Sequence, residues 1–263
     1  MRHEGHRTTA NPGARLHVAA GLAVGAAVAL EEAQTHYLRN VLRLAPGDEV
    51  ALFNGRDGEW RAAIDSLGKR STALRCLAQT RPQTAEPDLW LLFAPIKRLR
   101  VDFLVEKATE LGVALLQPVF TRHTAATRLN LERLAAHAVE AAEQTERLSI
   151  PVLREPQSLA ERLAAWPSDR HLLLCAEAGA ARPIADALSA LSGTPAGRGP
   201  WAVLVGPEGG FAAAELDDLG KLPFVTPVGL GPRILRADTA ALAALACWQA
   251  ILGDGREPTP LRR

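Results

Sequence analysis

The feature that most constrains the fold is a pair of short, wholly apolar runs, HLLLC at residues 171–175 and WAVLV at 201–205. A strand with one face in water alternates polar and apolar side chains. A strand that is apolar at every position must be covered on both faces, which is the condition of a parallel strand between layers of helices. The flanking sequence agrees, with candidate strands LWLLFA at 89–94, LLQPVF at 115–120 and IPVL at 150–153, and candidate helices at 98–111 and 131–147 between them. In the first of these helices Val101, Leu104, Val105, Ala108 and Leu111 fall on one stripe, Asp102, Glu106 and Glu110 fall elsewhere, and Gly112 closes the element. From residue 89 onward the chain therefore reads as α/β.

Upstream the pattern is different. Residues 15–82 are β-rich: EVALF at 49–53 and WRAAI at 60–64 are bounded by Pro46-Gly47-Asp48 and Asn54-Gly55, and one helix is predicted over 32–43. Residues 79–88, with Pro82 and Pro87, read as a linker, and residues 1–14 lack apolar periodicity and read as a disordered leader. The 263 residues thus divide into a leader (1–14), a small β domain (15–82) and a larger α/β domain (83–263). The apolar run at 16–30 follows Arg2, Arg7 and Arg15 in the manner of a signal peptide, but it is too short to span a bilayer. Glu4, His17, Glu31 and Glu32 oppose export, and two short strands joined at Gly21 fit the run better. Cys76, Cys175 and Cys247 are odd in number and set among apolar residues, so they read as reduced core thiols of a cytoplasmic protein. No metal is expected, because His36, His123, His137 and His171 lack ligand spacing, and the last three read as packing or surface residues.

Two segments carry chemistry. The WAVLV strand runs directly into Gly206, Pro207, Glu208, Gly209, Gly210 and Phe211, followed by the helix-prone AAAELDDLG. Ligands of open α/β sheets bind beyond the carboxyl ends of strands, and glycines there let main-chain groups approach closely. An ordinary strand-to-helix turn, with Glu208 favouring the helix amino end, is the alternative. The second segment is Gly229, Leu230, Gly231, Pro232, Arg233, Ile234, Leu235, Arg236, Ala237 and Asp238, again between a strand and a helix. Arg233 and Arg236 beside Asp238 suit a bound anion or a polarised oxygen, whereas in the plainer reading Asp238 caps the helix and the arginines are surface charges. The last helix is apolar nearly all round, and Leu242, Leu245, Trp248, Ile251 and Leu252 suggest burial by its own domain or by a second subunit. Neither GxGxxG nor GxxxxGK[ST] is present, which removes the best support for dinucleotide and P-loop readings.

Together the GPEGGF loop, LGPRILRADTA at 230–240, KATELGV at 107–113 with Pro118, EQTERLSIP at 143–151 and HYLRNVLRLAPGDEV at 36–50 resemble the SPOUT methyltransferases. Within that class the chain looks most like the bacterial 16S ribosomal RNA uridine N3-methyltransferases. The resemblance implies a PUA-like β-barrel followed by an α/β domain tied in a trefoil knot, and a cytoplasmic homodimer acting on 16S ribosomal RNA, with a small-subunit particle as the expected substrate. It implies S-adenosylmethionine as cofactor, held by Gly206, Pro207, Glu208, Gly209, Gly210, Gly229, Leu230, Gly231, Ile234 and Leu235. Arg236, with Arg233 second, would stabilise charge on the target base, and Asp238 would act as base or orient Arg236. Tyr37, Thr145 and Asp238 depart from the family's usual residues, and Asp238 stands one methylene shorter than the usual glutamate. With a net charge of only +1 there is no global basic field, so RNA attraction falls to local cations, for which Arg15, Arg39, Arg43, Lys97 and Arg98 are the expected set. A SPOUT enzyme for another RNA base, a non-catalytic RNA-binding module and a doubly wound oxidoreductase are the competing readings, and cofactor binding separates them.

Overall fold

Alternation and continuous apolarity lead to two different sheets in the computed structural model, which describes residues 14–125, 128–176 and 181–258 and leaves the Arg98 side chain outside the description. The proposed leader, apart from residue 14, lies outside the described residues. Contacts divide the chain into two units. Among the described residues, one comprises 14–85 together with Glu143–Ser149, and the other comprises those of Glu86–Ala142 and Ile150–Pro258.

The first unit is built on β1 (Arg15–His17), β2 (Ala27–Leu30), α1 (Glu32–His36), β3 (Glu49–Phe53), β4 (Glu59–Leu67) and β5 (Thr72–Arg81). Its five-stranded sheet has the order β1-β3-β4-β5-β2, in which only β1 and β3 pair parallel. The apolar run at 16–30 does supply two strands, but they do not pair with each other: they lie at opposite edges of the sheet. Val28, Leu30, Val50, Leu52, Ile64 and Leu74 fill the core from alternate positions, as the period of two requires. The predicted helix at 32–43 is regular only through His36, continues as a π-helical turn over Tyr37–Val41, and ends where Arg43 takes φ 55°. The linker begins later than residue 79, because Gln79 and Arg81 still pair with Trp60 and Glu59 and the ladder stops only at Pro82, which has no N–H to donate.

The second unit contains β6 (Leu89–Phe93), α2 (Arg98–Glu110), β7 (Leu115–Phe120), α3 (Leu131–Gln144, its last two residues in the first unit), β8 (Val152–Leu153), β9 (Gln157–Ser158), α4 (Leu159–Ala164) and β10 (His171–Cys175). It continues with β11 (Arg182–Pro183), α5 (Ile184–Ser189), β12 (Trp201–Val205), α6 (Ala213–Gly220), β13 (Val225–Gly229) and α7 (Ala237–Ile251). The strands form a parallel sheet in the order β11-β13-β10-β12-β6-β7-β8, with β9 added to β7. HLLLC and WAVLV are neighbours at its centre, and every WAVLV residue is buried. On α2, Val101, Leu104, Val105 and Ala108 are all buried against the sheet and α7. Gly112 (φ 77°) ends that helix where only glycine fits: a Cβ there would lie 2.7 Å from Nε2 of Gln249, which donates 2.7 Å to the Leu111 carbonyl. The helix predicted over 131–147 stops at Gln144, and Glu146 takes the left-handed φ of 59°. On α7, Leu245 and Trp248 are buried in the core of their own unit, so they do not form a face for a second subunit. Among the described residues no helix is long and apolar enough to cross a membrane.

Candidate active site

β13, β10 and β12 are consecutive in the sheet, so their carboxyl ends form one wall, and a cavity of about 450 Å³ opens on it. That volume falls within the ~300–1,000 Å³ usual for small-molecule pockets. From β12 come Val205, Gly206, Pro207, Gly209, Gly210 and Phe211, and from β13 come Gly229, Leu230, Gly231, Arg233, Ile234 and Leu235. β10 adds Cys175 and Ala176, the next segment adds Ala181 and Pro183, and the helices add Leu216, Ala237 and Ala240. The two glycine segments, 206–211 and 229–238, thus face one space because β10 lies between their strands.

Geometry favours glycine at Gly210, which takes φ 67°, and at two further places. A Cβ on Gly206 would lie 2.9 Å from the Phe211 ring, and Gly231 sits at φ 100°, which side-chain-bearing residues rarely adopt. The 206–211 loop is a turn closed by the Gly210 N–H donating to the Pro207 carbonyl at 2.9 Å. It is fastened from outside by two residues that sequence reasoning missed. His123, after β7, places Nδ1 at 3.1 and 3.2 Å from the carbonyls of Gly209 and Gly210; both partners are acceptors, so Nδ1 carries the hydrogen. Glu215 accepts the Arg122 N–H and the Ala212 N–H, each at 2.9 Å, tying the loop after β7 to the start of α6.

The remaining predicted residues fall in different places. Glu208 is exposed, does not line the cavity and does not serve the helix amino end, where Glu215 satisfies the free N–H instead. Arg233 lines the cavity, while Arg236 is the exposed residue at the amino cap of α7, and among the described residues neither guanidinium has an ion-pair or hydrogen-bond partner. Asp238 neither caps α7 nor orients Arg236. It occupies the second helical position, its carboxylate lies 3.2 Å from Nη1 of Arg100 on α2, and its Oδ1 accepts the Thr239 N–H at 3.0 Å. Arg15 is withdrawn from the RNA-facing set. Its side chain is only 10% exposed, Nε lies 2.6 Å from Glu59, and the guanidinium stacks 3.8 Å from the centre of the Phe53 ring. Burial holds this guanidinium below its ordinary pKa, and Glu59 offsets part of the shift. Arg39, Arg43 and Lys97 are exposed, with Arg39 donating to the Gly68 carbonyl at 3.3 Å. The three cysteines are free, and burial, with a smaller contribution from Cys247, pushes the Cys175 thiol up to about 12.

The same architecture occurs in known proteins. The family model described as RNA methyltransferase domain matches residues 84–249, and that described as RNA methyltransferase PUA domain matches residues 30–74. Ribosomal RNA small subunit methyltransferase E from Rickettsia conorii is 33% identical over 238 residues, covering 88% of this chain and 93% of the relative. The chain belongs to the ribosomal RNA small subunit methyltransferase E family. A second methyltransferase E, from Synechocystis, is 33% identical over 90% of this chain and 78% of its own length. The crystal structure of methyltransferase E from Neisseria gonorrhoeae bound to S-adenosyl methionine matches with a TM-score of 0.80 at 28% identity, covering 92% of this chain and 98% of that one. The putative methyltransferase Lpg2936 from Legionella pneumophila, in complex with the bound cofactor SAM, gives 0.78 at 27% identity over 90% and 96% of the two chains. The fold class of the methyltransferase E family is accordingly α/β with a PUA-like domain, as the motifs imply.

Proposed function

We propose that the chain methylates N3 of a uridine in the 16S RNA of the small ribosomal subunit, using S-adenosylmethionine. The observation that carries this reading is the single cavity walled by both glycine segments, in a chain whose methyltransferase E relatives cover nearly its whole length. The residues fit the cofactor. Gly206, Pro207, Gly209, Gly210, Gly229, Leu230, Gly231, Ile234 and Leu235 form a wall of main chain and apolar side chains, and Gly206 and Gly231 keep side-chain atoms out of it. When bound, the cofactor supplies a methyl group on a positively charged sulfur.

The chain's own contribution is positioning and charge. Holding a nucleophile in line can lower a barrier by up to ~7–11 kcal/mol. Uridine N3 must lose its proton, and the negative charge left behind spreads onto the flanking carbonyl oxygens. Arg236, without a partner among the described residues, is assigned to stabilise that charge, with Arg233 second. Asp238 is assigned as the anchor that holds the start of α7 to Arg100, because its oxygens are engaged by that guanidinium and by Thr239. The target base leaves its stack to reach the site, and the PUA-like unit, over residues 15–82, grips the RNA through Arg39 and Arg43, with Lys97 and Arg98 serving the domain over 83–263. A carboxyl-terminal trefoil knot, a cytoplasmic location, a homodimer and a small-subunit particle as substrate complete the reading. The exposed apolar side chains Leu99 and Phe103 on α2, with Ile234, are the surface assigned to the second subunit.

The test is nucleoside mass spectrometry of small-subunit RNA from cells lacking the gene. Loss of one N3-methyluridine, restored by the gene and not by its Arg236→Ala form, is the expected result. An unchanged level refutes the reading.

A further inference from the structure

The end of the parallel sheet opposite the cavity carries a cluster that the reaction does not use. Trp90, near the start of β6, is surrounded by three guanidiniums: Arg170 lies 3.5 Å from its ring centre, and Arg154 and Arg162 each lie 5.2 Å away. Arg162 also lies 5.3 Å from the Trp166 ring, which stacks on Phe224 and meets Trp90 edge-on at 6.3 Å. Only one of the three cations is neutralised. Arg170 bonds the Asp88 carboxylate at 2.5 Å and the carbonyls of Asp88 and Trp201 at 3.1 and 2.9 Å. Arg162 is 6% exposed and its Nε is sealed from solvent with no acceptor, while Arg154 is exposed, and among the described residues neither guanidinium has a hydrogen bond or ion pair. Glu161, next to Arg162 in sequence, is turned away to Ser158, whose hydroxyl and N–H it accepts at 2.7 and 2.9 Å.

A buried cation normally has a partner. Here the π faces of Trp90 and Trp166 supply part of the stabilisation. Burial, and then the like charges of Arg154 and Arg170, still hold the Arg162 guanidinium below its ordinary pKa. The cluster's uncompensated positive charge therefore suits an anion from outside, met at exposed Arg154, and a guanidinium's fork of donors suits a phosphate.

We propose that Arg154 and Arg162, backed by Trp90, bind a backbone phosphate of the RNA strand. The site is a second grip on the methyltransferase unit, roughly 10 Å or more along the strands from the cavity. It rests on RNA being the substrate but not on which base is methylated or whether methyl transfer occurs. Such a grip fixes the register of the strand without reading its sequence.

The experiment uses the full chain and naked small-subunit RNA, with binding measured across a series of salt concentrations. Arg154→Glu, at an exposed position, is expected to reduce the steepness of log affinity against log salt by about 0.7 or more, the share of one phosphate contact on a single strand. Its KM for RNA is expected to rise about tenfold, the scale of a hydrogen bond to a charged group, with kcat, melting temperature and S-adenosylmethionine affinity unchanged. Arg162→Gln should reproduce the slope change, and because that position is buried, only the Arg154→Glu result is decisive if the second variant does not fold. An unchanged slope in Arg154→Glu, or a wild type whose RNA binding is insensitive to salt, overturns the proposal. Thermal stabilisation of the wild type by inorganic phosphate, lost in Arg154→Glu while the RNA slope stays the same, would make this a free-anion site and likewise overturn it. If the slope falls although the wild type transfers no methyl group, the grip stands and the reading of the reaction fails instead.

Discussion

The two ends of the parallel sheet are built from opposite materials. At the carboxyl ends of β10, β12 and β13 the wall is main chain, glycine and apolar side chains, with Arg233 as its one ionised side chain among the described residues and a thiol, Cys175, held neutral. At the amino ends three guanidiniums crowd one indole, and among the described residues only Arg170 of the three meets a carboxylate. Main-chain groups recognise shape at fixed positions and carry no net charge. Clustered arginines recognise charge with little regard to sequence. One sheet can therefore hold a small cofactor at one end and a polyanion at the other, without a basic surface overall, and the net charge of +1 is no argument against RNA.

The comparison breaks first if the cavity end proves to need no cation. Arg236→Ala is expected to lower the single-turnover methyl-transfer rate by roughly 10²–10³, the loss typical of removing one preorganised donor, with S-adenosylmethionine affinity unchanged. Rates at saturating cofactor and RNA are the measurement, since product release would hide the effect. A wild-type rate would place catalysis on positioning alone. The next largest effect tests the backbone wall. Gly231→Val puts a branched side chain at φ 100°, a strain of about 1–3 kcal/mol, so calorimetry should show cofactor binding weakened by tens-fold. Gly209→Val should weaken it less, because that Cβ meets only the His123 Cβ, at 3.4 Å. Equal, full affinity in both variants would reduce the loops to ordinary turns.

A smaller effect sharpens the role of Asp238. If its carboxylate serves Arg100, a double-mutant cycle of Arg100→Ala and Asp238→Asn should show coupling of about 0.5–3 kcal/mol in stability, towards the low end because the Arg100 side chain is 30% exposed. The methyl-transfer rate of Asp238→Asn should then fall little and follow the same pH dependence as the wild type. A large loss rescued at high pH would restore Asp238 as a base.

How much of this was legible in the sequence follows the range of each interaction. HLLLC, WAVLV and the stripe on α2 were readable because burial on both faces, or along one stripe, leaves a local pattern. The two glycine segments were readable because a strand end that must meet a ligand shows its glycines at adjacent positions. Cys175, Ala181 and Pro183 were missed as wall residues because strand order is not written locally: nothing in residues 171–175 says that β10 lies between β12 and β13. His123 reads from the sequence as a packing or surface residue, and its contact with Gly209 and Gly210 spans more than eighty residues. Arg15 was misplaced for the converse reason. A cation at the start of a strand looks the same whether it meets water or Glu59, and only the fold brings Glu59 to 2.6 Å.

The smallest expected effect concerns whether the thiol in the cavity wall stays uncharged. The Cys175 thiol sits at about 12 in the folded chain, raised by burial, against an ordinary 9.0. A raised folded pKa means that the native state keeps a proton which the unfolded chain gives up. The stabilisation from the buried neutral thiol is therefore fully present below 9.0 and is lost progressively as pH rises towards about 12. The loss is at most about 1.4 kcal/mol per pH unit inside that window. Urea unfolding of the wild type and of Cys175→Ala, compared at neutral pH and at pH of about 10, isolates this contribution, because every other titrating group is common to both chains. The wild type should lose about 1 kcal/mol more than the variant between the two conditions. Cofactor affinity should stay flat over the neutral range, where the thiol is protonated in bound and free protein alike. If affinity changed at neutral pH in the wild type and not in Cys175→Ala, the thiolate would be accessible there, and the contrast between a largely apolar cavity wall and a strongly charged opposite end would fail.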